Sequence, residues 1–270
     1  MSGSTCSSTV EAVAIGNFDG MHLGHQALFK RLGESGGVCV IEHYRATLTP
    51  HIYRAKFTSL PLFFYDFDSI RELSPEGFVE RLKGSFPNLK KIVVGWDFRF
   101  GFDRRGDVET LRRLFDAEVE AVDEVHCSGR PVHSRFIREL ISSAKLEDAA
   151  SMLGHPYEVC GRVVRGQGIG SRSLVPTLNL DTGRFLLPAP GVYATETCIG
   201  GECYGSVSFV GKRATTDGSF AVESHIVGRE LEEMAGEEVC IKWLRFLREN
   251  RRFDSLSELK QQIEKDIEAL

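Results

Sequence analysis

Gly16-Asn17-Phe18-Asp19-Gly20-Met21-His22-Leu23-Gly24-His25 follows the apolar run Val13-Ala14-Ile15 and leads into Gln26-Ala27-Leu28-Phe29-Lys30-Arg31-Leu32. The first run predicts a strand, the last a helix, and the ten residues between them a glycine-bearing turn. Such a turn is an anion site, because backbone N–H groups and the positive end of the helix dipole converge on it. His22 and His25, three positions apart, can donate hydrogen bonds to phosphate oxygens as charge builds on them. The pattern predicts nucleotidyl transfer, with His22 and His25 as catalytic candidates and Gly16, Asn17, Phe18 and Gly24 as nucleotide contacts. Two surface histidines in isolation are the plainer reading of His-x-x-His. A zinc site would need further ligands at a matching spacing, and the sequence nearby supplies none.

Outward from that turn, strand and helix signals alternate. Val38 to Ile41 and Leu62 to Phe67 are apolar runs, and Ser74-Pro75 reads as a helix cap with proline in the first turn. Lys91 to Gly95 reads as a buried strand, followed by a helix through Leu111 and Leu114 and a strand from Val119 to Val122. This alternation predicts a Rossmann-like α/β domain with a parallel sheet covered on both faces. Gly16 and Gly95 then fall at carboxyl ends of strands, where ligands of such sheets sit. Two short helices, Ser134 to Ile141 and Leu146 to Leu153, close this half before Gly154-His155-Pro156.

From Tyr157 onward strand-length runs are separated by Gly, Pro and Asp: Tyr157–Val164, Gly191–Cys198, Tyr204–Val210, Phe220–Val227 and Val239–Leu247. They predict an antiparallel barrel or sandwich, closed by a packing helix with Leu256, Leu259, Ile263 and Ile267 on one face. Ser255 and Glu258 have capping-box spacing at its start. The expected boundary lies near 155.

This half has its own chemical candidates. The glycines of Gly166-Gln167-Gly168-Ile169-Gly170, Gly168 and Gly170 among them, let backbone approach phosphates, or form a plain glycine-rich hairpin. Thr177 and Asn179 lie two apart on an extended segment, so both oxygens share a face on which Mg²⁺ and phosphate could be held. Glu223, on the polar face of an alternating strand, is a candidate general base; a solvent-facing edge is the other reading. Arg245, Arg248, Arg251 and Arg252 are either a solvated face or nucleotide-facing, with Arg248 the candidate contact.

At 270 residues the chain can hold two ordinary domains, and its net charge of −5 argues against general nucleic-acid binding. Seven scattered cysteines without a Cys-x-x-Cys pair predict reduced, mostly buried thiols. No secretory signal or membrane-spanning run is visible, which predicts a soluble, cytoplasmic protein without nucleic-acid or membrane partners. Oligomeric state is left open.

These motifs, in this order, resemble the prokaryotic bifunctional riboflavin kinase/FAD synthetase family. The resemblance runs from about Val13 to Leu270, through the turn at Gly16 to His25, Val94-Gly95-Trp96-Asp97-Phe98-Arg99-Phe100-Gly101, Ser134…Ile137-Arg138, Gly166 to Asn179, Gly191-Val192-Tyr193-Ala194, Val222-Glu223-Ser224-His225 and Leu247-Arg248…Phe253-Asp254-Ser255. It implies an FMN adenylyltransferase domain over 1–155 and a riboflavin kinase domain over 156–270. The substrates would be ATP, riboflavin and FMN, with FAD as product and Mg²⁺ as metal. By resemblance His22 and His25 stabilise the triphosphate, Asp97 and Phe98 lie in the segment lining the adenine pocket, and Ser134 and Arg138 serve the nucleotide, Arg138 at phosphate. Thr177 and Asn179 hold Mg²⁺–ATP, and Glu223 is the base. Where the family shows Phe-x-Pro-x-Pro, this chain has Ile41-Glu42-His43-Tyr44-Arg45; Leu174 replaces a glycine, and Arg213-Ala214-Thr215 stands for Arg-Pro-Thr. The altered first segment motivates an alternative, a kinase alone with a degenerate N-terminal domain.

Overall fold

The computed structural model describes residues 7–165, 175–213, 215, 218–228 and 234–270. Two compact units emerge: one of residues 1–45 and 49–134, the other of 46–48 and 135–270.

The first unit is built on five parallel strands, β1 (Ala12–Gly16), β2 (Gly36–Glu42), β3 (Leu62–Asp66), β4 (Lys91–Gly95) and β5 (Glu118–Val122), in the order β3-β2-β1-β4-β5. Successive strand residues point to opposite faces. Val13 and Ile15 therefore join a core with α3 (Pro75–Ser85) and α4 (Val108–Leu114), through Phe78, Val79, Leu82 and Leu111. Ala12 and Ala14 face Leu28 and Phe29 of α1 (Leu23–Phe29) on the other side. Ser74 accepts from the Gly77 N–H at 3.1 Å and Asp107 from that of Thr110 at 2.9 Å, which fixes where α3 and α4 begin. The run read as a strand to Phe67 ends at Asp66, whose carboxylate accepts from the Asp68 N–H and opens the short helix α2 (Phe67–Ile70). A small hairpin, β6 (His126–Cys127) and β7 (Arg130–Pro131), precedes the second unit.

In the second unit α5 (Ser134–Ser142, all but its first residue) and α6 (Leu146–Leu153) precede six antiparallel strands. These are β8 (Tyr157–Val164), β9 (Leu178–Asp181), β10 (Gly191–Ile199), β11 (Glu202–Lys212), β12 (Phe220–Ile226) and β13 (Glu238–Arg248). They close into a barrel in the order β10-β11-β12-β9-β8-β13, which decides between barrel and sandwich. The interior is partly polar. Thr195, Thr197, Ser206, Ser208 and Ser224 are buried and bond to one another at 2.6 to 3.0 Å, so each hydroxyl has a partner. The last helix, α7 (Leu256–Glu268), is capped by Ser255, whose hydroxyl accepts from the Glu258 N–H at 3.2 Å.

The cysteine expectation is corrected. Cys160 is joined to Cys240 and Cys198 to Cys203, while Cys39 is a buried thiol. The pairs lie 80 and 5 residues apart in sequence, and only strand register reveals that their members face each other.

Candidate functional site

In the first unit the chain order reverses between β1 and β4, so Gly16 and Gly95 flank the switch point of the sheet. The turn after Gly16 is tightly specified. Phe18 and Met21 are buried with φ of 51° and 47°, left-handed values that non-glycine residues rarely adopt. Four ties hold that shape. Asn17 Nδ2 donates to the Ile41 carbonyl at 3.0 Å, and the Thr49 N–H donates to Asp19 Oδ1 at 3.2 Å. Ser134 Oγ donates to the Asp19 carbonyl at 2.7 Å, and Arg54 Nε to that of Phe18 at 3.2 Å.

His22 is the cap of α1. Its Nδ1 accepts from the His25 N–H at 3.3 Å, which leaves the proton of the neutral ring on Nε2. The two imidazoles stack, with centroids 3.5 Å apart and planes 20° from parallel. Gly24 makes room for this: a Cβ there would stand 3.0 Å from His22 Cε1. Burial, then the nearby His133, lowers the His22 pKa to about 3, and burial first of all holds His25 well below its ordinary value. Both rings are neutral at pH 7. His25 Nδ1 is shielded from solvent and has no hydrogen-bond partner among the described residues.

Four of the other expected contacts are placed differently from one another. Asp97 is exposed in the turn after β4, whereas the Phe98 ring stacks on Phe100 at 5.6 Å against the core. Ser134 supports the turn. Arg138 belongs to the second unit, where it donates to the Ala46 carbonyl at 2.9 Å.

Sequence reasoning missed Arg54. Its side chain is fully buried, and its Nη1 donates to Glu42 Oε2 at 2.9 Å. The sequence around it, His51 to Phe57, looks like an exposed basic stretch; the one signal was Glu42, a carboxylate ending an apolar strand. His133, 2.8 Å from Glu124, was missed as a neighbour of His22.

In the barrel, Asn179 and Glu223 are register partners on β9 and β12. Arg213 joins them: its Nε donates to Glu223 Oε1 at 2.8 Å and its Nη2 to Asn179 Oδ1, while Nη1 holds Ser219 Oγ at 2.6 Å. Glu223 and His225 lie on the face opposite buried Val222 and Ser224, and the His225 Nδ1–H donates to the Pro176 carbonyl at 2.7 Å. Thr177 precedes β9 and is partly buried. Gly168 and Gly170 lie outside the described residues. Arg248 is engaged elsewhere, as both Nε and Nη2 bond Asp266 of α7, at 3.0 and 2.7 Å. Arg245 donates to the Ala269 carbonyl and Arg251 to Gln262, so three of the four arginines fasten the last helix.

A family model described as FAD synthetase matches residues 5–51 and 51–136, and one described as riboflavin kinase matches residues 153–270. The "Bifunctional riboflavin kinase/FMN adenylyltransferase" of Pseudomonas fluorescens is 32% identical, over 94% of this chain and 90% of that protein. The protein of the same name from Listeria monocytogenes is 28% identical, over 95% and 90%. A crystal structure titled as a macrolide-efflux protein from Streptococcus pneumoniae superposes with a TM-score of 0.81 at 28% identity, covering 96% of this chain and 93% of that one. Among the described residues no helix is long and apolar enough to cross a membrane.

Proposed function

The chain belongs to the bifunctional riboflavin kinase/FMN adenylyltransferase family, and on that premise we propose how its two halves divide the work. It transfers a phosphoryl group from ATP to riboflavin, giving FMN, and joins FMN to the adenylyl group of a second ATP, giving FAD and pyrophosphate. The adenylyltransferase is assigned to residues 1–155 and the kinase to 156–270. The FAD synthetase match across residues 5–136 supports the bifunctional reading over a kinase alone with a degenerate N-terminal domain, which the flavin assay below distinguishes.

The first assignment rests above all on the stacked, neutral histidine pair. In adenylyl transfer the FMN phosphate attacks the α-phosphorus of ATP and charge builds on the departing pyrophosphate. His22 carries its proton on Nε2 and donates it to a phosphate oxygen as a hydrogen bond, and His25 Nδ1 finds in the substrate the partner it lacks. A neutral donor needs no counter-ion. Gly16, Asn17, Phe18 and Gly24 shape the loop around the triphosphate. Asp97 and Phe98 are assigned to adenine, Ser134 to supporting the loop and Arg138 to phosphate.

In the kinase, Glu223 accepts the proton of the attacking ribityl hydroxyl, and Arg213 aims it. Thr177 and Asn179 would hold Mg²⁺. Their hydroxyl and amide oxygens are hard donors suited to that ion, although Asn179 Oδ1 accepts from the Arg213 guanidinium in this structure and would have to exchange that bond for the ion. When bound, Mg²⁺ neutralises charge on the transferring phosphate. Gly168 and Gly170 are assigned to the ATP phosphates. Arg248 would reach a phosphate by exchanging Asp266 for it. A cytoplasmic location is part of the same proposal, because ATP and flavins are the substrates.

The deciding experiment incubates the protein with riboflavin, ATP and Mg²⁺ and separates the flavins by chromatography. FMN appears first and FAD after it, with pyrophosphate released in step with FAD. FMN accumulating without FAD would overturn the adenylyltransferase assignment.

A further inference from the structure

Four of the seven cysteines form one row across the barrel. Register sets Cys160 of β8 opposite Cys240 of β13, Cys240 opposite Cys198 of β10, and Cys198 opposite Cys203 of β11. Directly opposed residues share a face with Cβ atoms about 4.5–5.5 Å apart, so each sulphur has the next within reach. The row lies on the outer side of the wall, since Cys198 follows Thr197 of the interior hydroxyl cluster and successive residues alternate. Two of its three junctions are bonded, Cys160–Cys240 and Cys198–Cys203; the middle one, Cys240 to Cys198, is the open link.

The ends of the row differ. Cys203 is exposed beside the Gly200-Gly201 turn, whereas Cys160 and Cys240 are 1% and 6% exposed on the two strands against which α6 packs. A reagent in solution reaches the outer disulfide and not the inner one. Glu158 Oε1 lies 3.4 Å from the Cys160 sulphur and is half-buried, a route for a proton between that sulphur and solvent.

We propose that this row is a thiol–disulfide exchange site, through which a dithiol reductant acting at Cys203 reduces the buried Cys160–Cys240 bond by way of Cys198. One thiolate of the dithiol attacks Cys203 Sγ and breaks its bond to Cys198. Its second thiol then displaces Cys203 and the reagent leaves as its own disulfide. The Cys198 thiolate attacks Cys240 Sγ, the Cys160–Cys240 bond breaks, and Cys160 leaves and takes up a proton along Glu158. The Cys203 thiolate attacks Cys198 Sγ, restoring the outer disulfide and releasing Cys240, which is protonated in turn. One dithiol is oxidised and one buried disulfide reduced, so two electrons and two protons are transferred and every bond is accounted for. The row thereby controls whether the first barrel strand is stapled to the last.

The test treats the folded, air-oxidised full chain with dithiothreitol near neutral pH, quenches with an alkylating agent and maps the bonds by mass spectrometry. In the unaltered protein both disulfides are found at the start and Cys160–Cys240 is lost on treatment. Cys198→Ser, or Cys198→Ala if the serine variant folds poorly, slows that loss by about tenfold or more, because the link is cut. Cys203→Ser accumulates a Cys198–Cys240 bond without any reductant, since the last exchange cannot occur. None of these residues belongs to the kinase or transferase machinery, so riboflavin phosphorylation confirms that each variant is folded. Loss of Cys160–Cys240 at the unaltered rate in Cys198→Ser overturns the relay. So does an intact Cys160–Cys240 bond beside a free Cys198 in Cys203→Ser, or the absence of Cys160–Cys240 from the oxidised protein.

Discussion

Arg54 donates its Nε proton to the carbonyl oxygen of Phe18 at 3.2 Å, 36 residues away in the chain, and thereby holds a phenylalanine in left-handed backbone. The same guanidinium is paired with Glu42 at 2.9 Å, and both side chains are buried. The Phe18 ring in turn meets His25 edge-on, with centroids 5.2 Å apart. A buried ion pair stabilises little in itself, but removing one partner leaves the other charged and unsolvated. What Arg54 contributes is the position of the histidine-bearing turn.

Arg54→Met is therefore expected to slow FAD formation from supplied FMN by about tenfold or more, because small displacements of a positioned group are costly in rate. Riboflavin phosphorylation by the other unit stays within about twofold. Arg54→Lys keeps the charge but cannot reach Phe18 and Glu42 together, so it recovers stability better than rate. Separate assays for the two reactions, with a thermal melt, distinguish this from unfolding. Equal losses in both reactions would contradict the positioning role.

Glu223→Gln keeps the shape of the side chain and removes its basicity. FMN formation is expected to fall by about 10²- to 10⁴-fold, with adenylylation of supplied FMN unchanged. His25→Ala is expected to do the reverse. A variant that removed both activities while the fold persisted would show that the sites are not divided as assigned.

Acid should destabilise the first unit through its histidines. Unfolded, each imidazole takes a proton near pH 6.5, whereas folded His22 does so near 3 and His25 well below the ordinary value. Between these limits the unfolded chain binds more protons, so the contribution is complete above about 6.5 and is lost as pH falls toward 3. The slope approaches about 1.4 kcal/mol per pH unit for each ring. His22→Asn retains a capping acceptor and removes one titrating group. Its stability, followed by denaturant titration at several pH values, should fall less steeply with acid than that of the unaltered chain.

What could be read ahead of the structure follows from where periodicity is strong. The alternation of β1, α1 and β2, the Ser74 cap and the runs of β8 and β10 to β13 are local patterns, and each appears close to its expected position. The strand β9 reads only as an extended segment around Thr177 and Asn179, because Pro176 and the glycines before it equally suit a turn. Arg54, Arg213 and the cysteine row escaped for a different reason. Each acts through a partner distant in sequence, and only pairing register or a closed turn brings the partners together. Arg248 shows the converse, since a basic cluster that suggested nucleotide contacts holds Asp266 of its own last helix.

The hydroxyl cluster inside the barrel offers a last prediction. Thr197 Oγ1 bonds both Ser206 Oγ at 2.8 Å and Ser224 Oγ at 2.6 Å. Thr197→Val preserves volume and suits a strand, so packing alone forecasts almost no change. The hydrogen bonds forecast a loss of about 1–3 kcal/mol, because two buried hydroxyls each lose a partner where water cannot replace it. Ser224 retains its 3.0 Å bond to Ser208, which places the loss toward the lower end. Ser224→Ala made on top of Thr197→Val should then cost less than Ser224→Ala alone, since one of its bonds is already gone. Urea titration of the two single variants and the double variant measures this coupling. Strict additivity would mean that the hydroxyls stabilise the barrel independently rather than as a network.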